Sequence, residues 1–141
     1  MPIFYYLYQN NREHFLNKGK WYARVIQNST RSLHDIAGLI QSKTHVKKSD
    51  VLAVLTALPT VMDELLSQGH RLRIDGLGTF KVSISSRPAA RREDFSTDRH
   101  IVGTRIVFQP ATRREGRHGK PERIVAANLE YEEVCLTEKN T

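Results

Sequence analysis

The sequence predicts an α+β protein: two amphipathic helices, then a long antiparallel β-hairpin, with an extra strand pair ahead of them. Three observations predict it. Apolar residues recur at helical spacing from Leu33 to Ile40 and again from Val51 to Leu66. The period then changes to two, through Leu72 and Ile74, through Phe80, Val82 and Ile84, and through Val102, Thr104, Ile106 and Phe108. Before all of this stand two aromatic, β-branched runs, IFYYLY at 3–8 and KWYARVIQ at 20–27.

The two leading runs flank a polar connection that ends in Gly19, which suits a hairpin. Trp21 and the tyrosines fit a strand face packed on the helices better than a base-stacking platform. In STRSLHDIAGLIQSKT, Ser32 and Asp35 have the spacing of a capping box with Asp in place of Glu. Leu33, Ile36, Ala37 and Ile40 then line one face of a helix. Ser49-Asp50 predicts the start of a second helix, over about 49–68, and Gly69 suits the position just past its end. Val51, Leu55, Leu58, Met62 and Leu65 belong to an apolar face about half the circumference wide, more than one side of a small core requires. Pro59 lies inside this helix and removes one backbone hydrogen bond. The exposed face carries Thr56, Thr60, Asp63, Glu64 and Ser67 with no cation, so this is a core or dimer helix and not a groove-reading one.

In RIDGLGTFKVSIS, residues 71–83, no third glycine and no helix follows the glycine pair, which excludes a dinucleotide loop. Asp75-Gly76 is a tight-turn dipeptide, and Gly78 permits a bulge or a close backbone approach. With Phe80 and Phe108 facing each other at the base of a hairpin, the tip falls at about 92–97. The stretch between Ile84 and Ile101 is polar and arginine-rich, a two-stranded arm that gains order on a partner.

Charge singles out the same region. The 141-residue chain carries a net +7, and residues 81–123 hold eleven Lys/Arg against five Asp/Glu, mostly arginine, whose planar fork suits phosphate. With one cysteine, Cys135, an intramolecular disulfide or cysteine metal cluster is excluded. The six histidines show no ligand spacing, Asp63-Glu64 is a solvated helix face, and no nucleophile motif appears, so neither an enzyme nor a cofactor or small-molecule substrate is expected. The N-terminus has no signal-peptide pattern and no run is long enough to span a membrane, which fits a cytoplasmic protein.

The order of helix, second helix ending Leu66-x-x-Gly69, strand, Gly76-Leu77-Gly78-Thr79-Phe80, long basic hairpin and closing Ile106-Val107-Phe108-Gln109-Pro110 resembles the bacterial HU/IHF histone-like DNA-binding family over residues 29–113. The leading strands, with Lys20-Trp21-Tyr22-Ala23-Arg24, look like the N-terminal extension of the divergent HU-like subfamily of Bacteroides-type bacteria. The resemblance implies an intertwined dimer, a helical body under a β-sheet saddle, and protruding arms that embrace the DNA minor groove in the nucleoid. Three features depart from the family pattern. The arm's proline, Pro88, lies too early for the tip; the tip instead holds Phe95 among Glu93, Asp94 and Asp98; and residues 114–141 do not resemble a short closing helix.

These readings divide the chain into a strand extension at 1–28, the HU/IHF-like domain at 29–113 with its arm at about 85–101, and a C-terminal extension at 114–141. They predict an architectural protein that clamps and bends double-stranded DNA with little sequence specificity, through Lys81, Arg87, Arg91, Arg92, Arg99, Arg105, Arg113 and Arg114. Phe95 and Pro88 are the candidate wedges between base steps. Val51, Leu55, Leu58, Met62, Leu65, Phe80 and Phe108 form the core and the homodimer contact, a heterodimer being the alternative. The competing reading is a dimeric HU-like scaffold for other proteins with reduced DNA binding, suggested by the acidic tip and tail. RNA binding is a weaker third.

Overall fold

The computed structural model describes residues 1–13 and 16–135. The chain forms two compact units, Met1–Arg31 with the chain from Asn128 onward, and Ser32–Ala127.

In the first unit β1 (Ile3–Gln9) and β2 (Trp21–Val25) pair antiparallel, with Tyr5 opposite Val25 and Gln9 opposite Trp21. A third strand joins from the far end of the sequence. β8 (Tyr131–Glu133) runs parallel to β1, Ile3 opposite Tyr131, so β1 is central in the order β2-β1-β8. Residues 123–136, open between strand and helix on sequence grounds, thus supply strand at Arg123 and Tyr131–Glu133.

The second unit opens with α1 (Leu33–Lys43). Ser32 caps it as the spacing predicts: its hydroxyl accepts from the Asp35 backbone N–H, and the Asp35 carboxylate accepts from the Ser32 backbone N–H at 2.8 Å. Two of the orphan donors of the first turn are satisfied reciprocally. α2 (Lys48–Ser67) begins differently from expectation. Its N-cap is Lys47, with no side-chain cap, and Ser49 and Asp50 lie inside the first turn, where Asp50 complements the positive helix end. The helix runs through Pro59 and stops at Gly69, whose φ of +81° opens a paired closure. The Gly69 N–H donates to the Leu66 carbonyl and the His70 N–H to that of Leu65.

β3 (Leu72–Ile74) and β4 (Gly78–Ser86) fold on the glycine pair. The Leu77 N–H bonds the Ile74 carbonyl at 3.0 Å, and Gly76, φ +81°, takes the left-handed position of that turn. Gly78 is buried; a Cβ there would run into the Gln109 carbonyl oxygen and the Phe108 ring. β5 (Ile101–Pro110) pairs with β4 along nearly its whole length, with Phe80 opposite Phe108, the register predicted from sequence. The two rings sit 4.8 Å apart. Opposite Ser85 and Ser86 the β5 strand carries one extra residue, Val102, a bulge near the far end of the ladder. β6 (Thr112–Arg113) and β7 (Glu122–Arg123) form a small second hairpin.

The core of this unit is thin. Among the described residues only Ala37, Val51 and Leu66 are buried hydrophobics. Leu55, Leu58, Met62, Leu65 and Phe80 are half-buried, and Phe108, expected in the core, is exposed in the single chain despite its ring contact. Val54 is 68% and Ile106 65% exposed.

Candidate nucleic-acid interface

Alternation along β4 and β5 separates two faces of the ribbon, because residues directly opposite each other share a face. Phe80, Val82 and Ile84 lie opposite Phe108, Ile106 and Thr104. That face is apolar, and it closes one side of a groove of about 740 Å³ whose other side is α2, through Leu55, Leu58, Met62 and Leu66. The opposite face carries Thr79 with Gln109, Lys81 with Val107, and Ser83 with Arg105. β3 adds Arg73, paired with Thr79. Arg73, Lys81 and Arg105 therefore form a cationic track on one side of a three-stranded sheet.

Arg73 was absent from the expected contacts. Its signal was present in the alternation of Leu72 and Ile74 with Arg71 and Arg73, on a strand of only three residues. Its Nε lies 3.0 Å from Asp75 Oδ1, in a pair so exposed that water competes for both partners. Beside it, at the root of the ribbon, Arg73, Asp75, Thr79, Gln109 and Thr112 line a polar cleft of about 410 Å³.

The tip differs from the expected two-stranded arm. The ladder ends at Ser86 and Ile101, and the segment between them folds into a cap: a 3-10 turn at Arg92–Asp94 and a single helical turn, α3 (Thr97–His100). Ladder geometry gives way because residues 87–100 offer no alternating apolar set to hold a register. The cap closes on itself instead. The Arg87 N–H donates to the His100 carbonyl at 2.7 Å, the Ser96 N–H donates to His100 Nδ1 at 2.9 Å, and the Phe95 ring stacks on His100 with centroids 5.1 Å apart.

The remaining expected contacts fall into two groups. Arg87, Arg91, Arg92 and Arg99 are exposed on or next to the cap, and Arg91 Nε reaches Asp94 Oδ2 at 3.4 Å. Among the described residues no ion pair engages Arg87, Arg92, Arg99 or Arg105. Pro88 is exposed before the cap, and Phe95 is 44% exposed on it. Arg113 lies apart, on β6 opposite Glu122, with Arg114 just beyond. That small hairpin is tied to the ribbon root by hydrogen bonds from Ala111 N–H to the Leu77 carbonyl and from Ile124 N–H to the Ala111 carbonyl. Among the described residues no group of His, Cys, Asp and Glu is placed to hold a metal ion, and no helix is long and apolar enough to cross a membrane.

A family model described as "HU domain fused to wHTH, Ig, or Glycine-rich motif" matches residues 1–123. A crystal structure from Bacteroides vulgatus, of a chain provisionally described as a bacterial DNA-binding protein, is similar in fold, with a TM-score of 0.53 at 11% identity over 76% of this chain. The match spans 41% of that longer chain. No curated protein matches the sequence.

Proposed function

Since the chain belongs to the family of HU domains fused to wHTH, Ig or glycine-rich motifs, we propose that it is an architectural DNA-binding protein that grips duplex DNA with its β-ribbon. The observation that carries this reading is the two-faced ribbon. Arg73, Lys81 and Arg105 share its polar side, and the unpaired Arg87, Arg92 and Arg99 continue positive charge to the tip. Such a surface neutralises phosphates and releases counterions, which gives affinity without reading base edges. Sequence preference is then weak and follows how easily the duplex bends. Phe95, partly exposed on the cap where it stacks on His100, is the candidate wedge at a bent step. Arg113 and Arg114 extend the contact from the small hairpin.

A second copy completes the molecule. The groove between α2 and the apolar ribbon face, and the exposure of Val54, Ile106 and Phe108, support a reading of this surface as half of an interface. A homodimer buries these groups and sets two ribbons on one body, which suits a partner with two-fold symmetry. The reading places the protein in the bacterial cytoplasm, on the nucleoid.

The test is titration of labelled duplexes of several sequences at about 50 and 200 mM salt, with a solution mass measured in parallel. Binding at low salt that falls steeply with salt and varies little with sequence is the expected result. No binding at low salt overturns the reading. A scaffold role is favoured instead if a protein partner survives nuclease treatment while duplex binding is absent; the acidic cap residues Glu93 and Asp94 are the feature that suggests it.

A further inference from the structure

The sheet of the first unit has two chemically different faces. Its register sets Tyr6 opposite Arg24 and Tyr8 opposite Tyr22. One face therefore carries Tyr6, Tyr8, Tyr22 and Arg24, while Trp21, Ala23 and Val25 turn to the other with Tyr5 and Leu7. The tyrosine rings form a continuous track, with centroids 6.5 Å apart from Tyr6 to Tyr8 and 6.0 Å from Tyr8 to Tyr22. The Arg24 guanidinium stands 4.6 Å from the Tyr8 ring centroid, and Tyr6, by a hydrogen bond and by charge, makes it hold its proton more tightly than usual.

Where the track meets the β1–β2 connection it opens into a cleft of about 440 Å³, lined by Tyr8, Asn10, Arg12, Asn17, Tyr22 and Arg24. Lys20 joins the rim, its Nζ donating to Asn17 Oδ1 at 3.0 Å. The charged groups lining the cleft are cations only, and residues 1–31 hold five Lys/Arg against one Asp/Glu. The acid that register assigns to this face, Glu132, lies at the opposite end beside Phe4. The cleft thus combines aromatic rings, guanidinium groups and two side-chain amides, with no acid in its lining among the described residues.

We infer, in place of the packing role expected of these tyrosines from sequence, that this face binds single-stranded DNA, separately from the duplex surface of the ribbon. Unpaired bases present flat faces to tyrosine rings, phosphates take Arg12, Arg24 and Lys20, and the Asn10 and Asn17 amides meet base edges. A duplex keeps its base faces stacked inside and has nothing to offer the tyrosine track. The cationic track of the ribbon needs only backbone phosphates. The tyrosine face therefore requires unpaired bases, a requirement the ribbon does not share, and the protein holds both duplex and unpaired strand.

The test is fluorescence anisotropy of the full chain with a labelled oligo(dT) of about 15 nucleotides, long enough for a site of this kind, alongside a labelled duplex. The wild type binds oligo(dT) at low salt. A Tyr8→Leu/Tyr22→Leu variant loses about tenfold or more of that affinity and leaves duplex binding within about twofold. Should this variant fail to fold by circular dichroism, Arg12→Gln, at an exposed position, carries the test with an expected several-fold loss. Absence of oligo(dT) binding by the wild type overturns the inference. So does a folded tyrosine variant, or Arg12→Gln where that variant does not fold, binding oligo(dT) like the wild type. Loss of duplex binding with oligo(dT) binding kept would overturn the ribbon reading and leave this one standing.

Discussion

The root and the tip of the long hairpin obey different physics. At the root, Gly78 is buried against Gln109 and the Phe108 ring, the Phe80 ring packs tilted against Phe108, and the ladder runs in register. At the tip the ladder is gone, four arginines are exposed, and the order comes from a few local hydrogen bonds around His100. The root is built for stability and direction. The tip carries exposed cationic side chains on a short folded cap, the part proposed to meet DNA. Substitutions at the root should therefore read out in folding, and those at the tip in binding.

The largest folding effect is expected from Gly78→Ala. Its φ of +155° excludes most side chains, and the added methyl meets backbone and ring. A loss of about 3 kcal/mol or more, read from the urea midpoint, follows from strain plus overpacking. Phe80→Ala comes next, at about 2 kcal/mol, below the full range for a buried phenylalanine because Phe80 is only half-buried. Ser32→Ala, away from the hairpin, gives a yardstick of about 1 kcal/mol for the loss of the capping box. At the tip, Asp94→Asn breaks an exposed pair with Arg91 and should shift stability by less than about 0.5 kcal/mol. If that variant costs as much as Phe80→Ala, the distinction between root and tip fails. Arg91→Ala/Arg92→Ala should also leave the urea midpoint nearly unchanged while weakening duplex binding similarly across sequences.

What the sequence made legible was local. The Ser32–Asp35 box, the Gly69 closure and the Asp75-Gly76 turn each announce themselves within a few residues, and the two phenylalanines fixed the ribbon register through simple alternation. The start of α2 was misread because Ser49-Asp50 looks like a cap, whereas Lys47 holds that place without one. The helical cap left little trace, since Thr97–His100 is too short for any apolar period. The pairing of β8 with β1 was beyond reach: Tyr131 finds Ile3 across most of the chain, and no short-range pattern records a parallel partner that distant. Of the site, the tip arginines were visible as composition. That Arg73, Lys81 and Arg105 share one face required the strand register, and the N-terminal tyrosine track required knowing which side of β2 Trp21 leaves.

The most direct test of the ribbon as a phosphate-binding surface is the salt dependence of duplex affinity for the wild type and for a variant with Arg73, Lys81 and Arg105 all changed to Ala. Each phosphate contact contributes about 0.9 to the slope of log affinity against log salt. The account predicts a linear dependence for the wild type and a slope shallower by about 2.7 in the variant, with the urea midpoint little changed. An identical slope in the two proteins would contradict it.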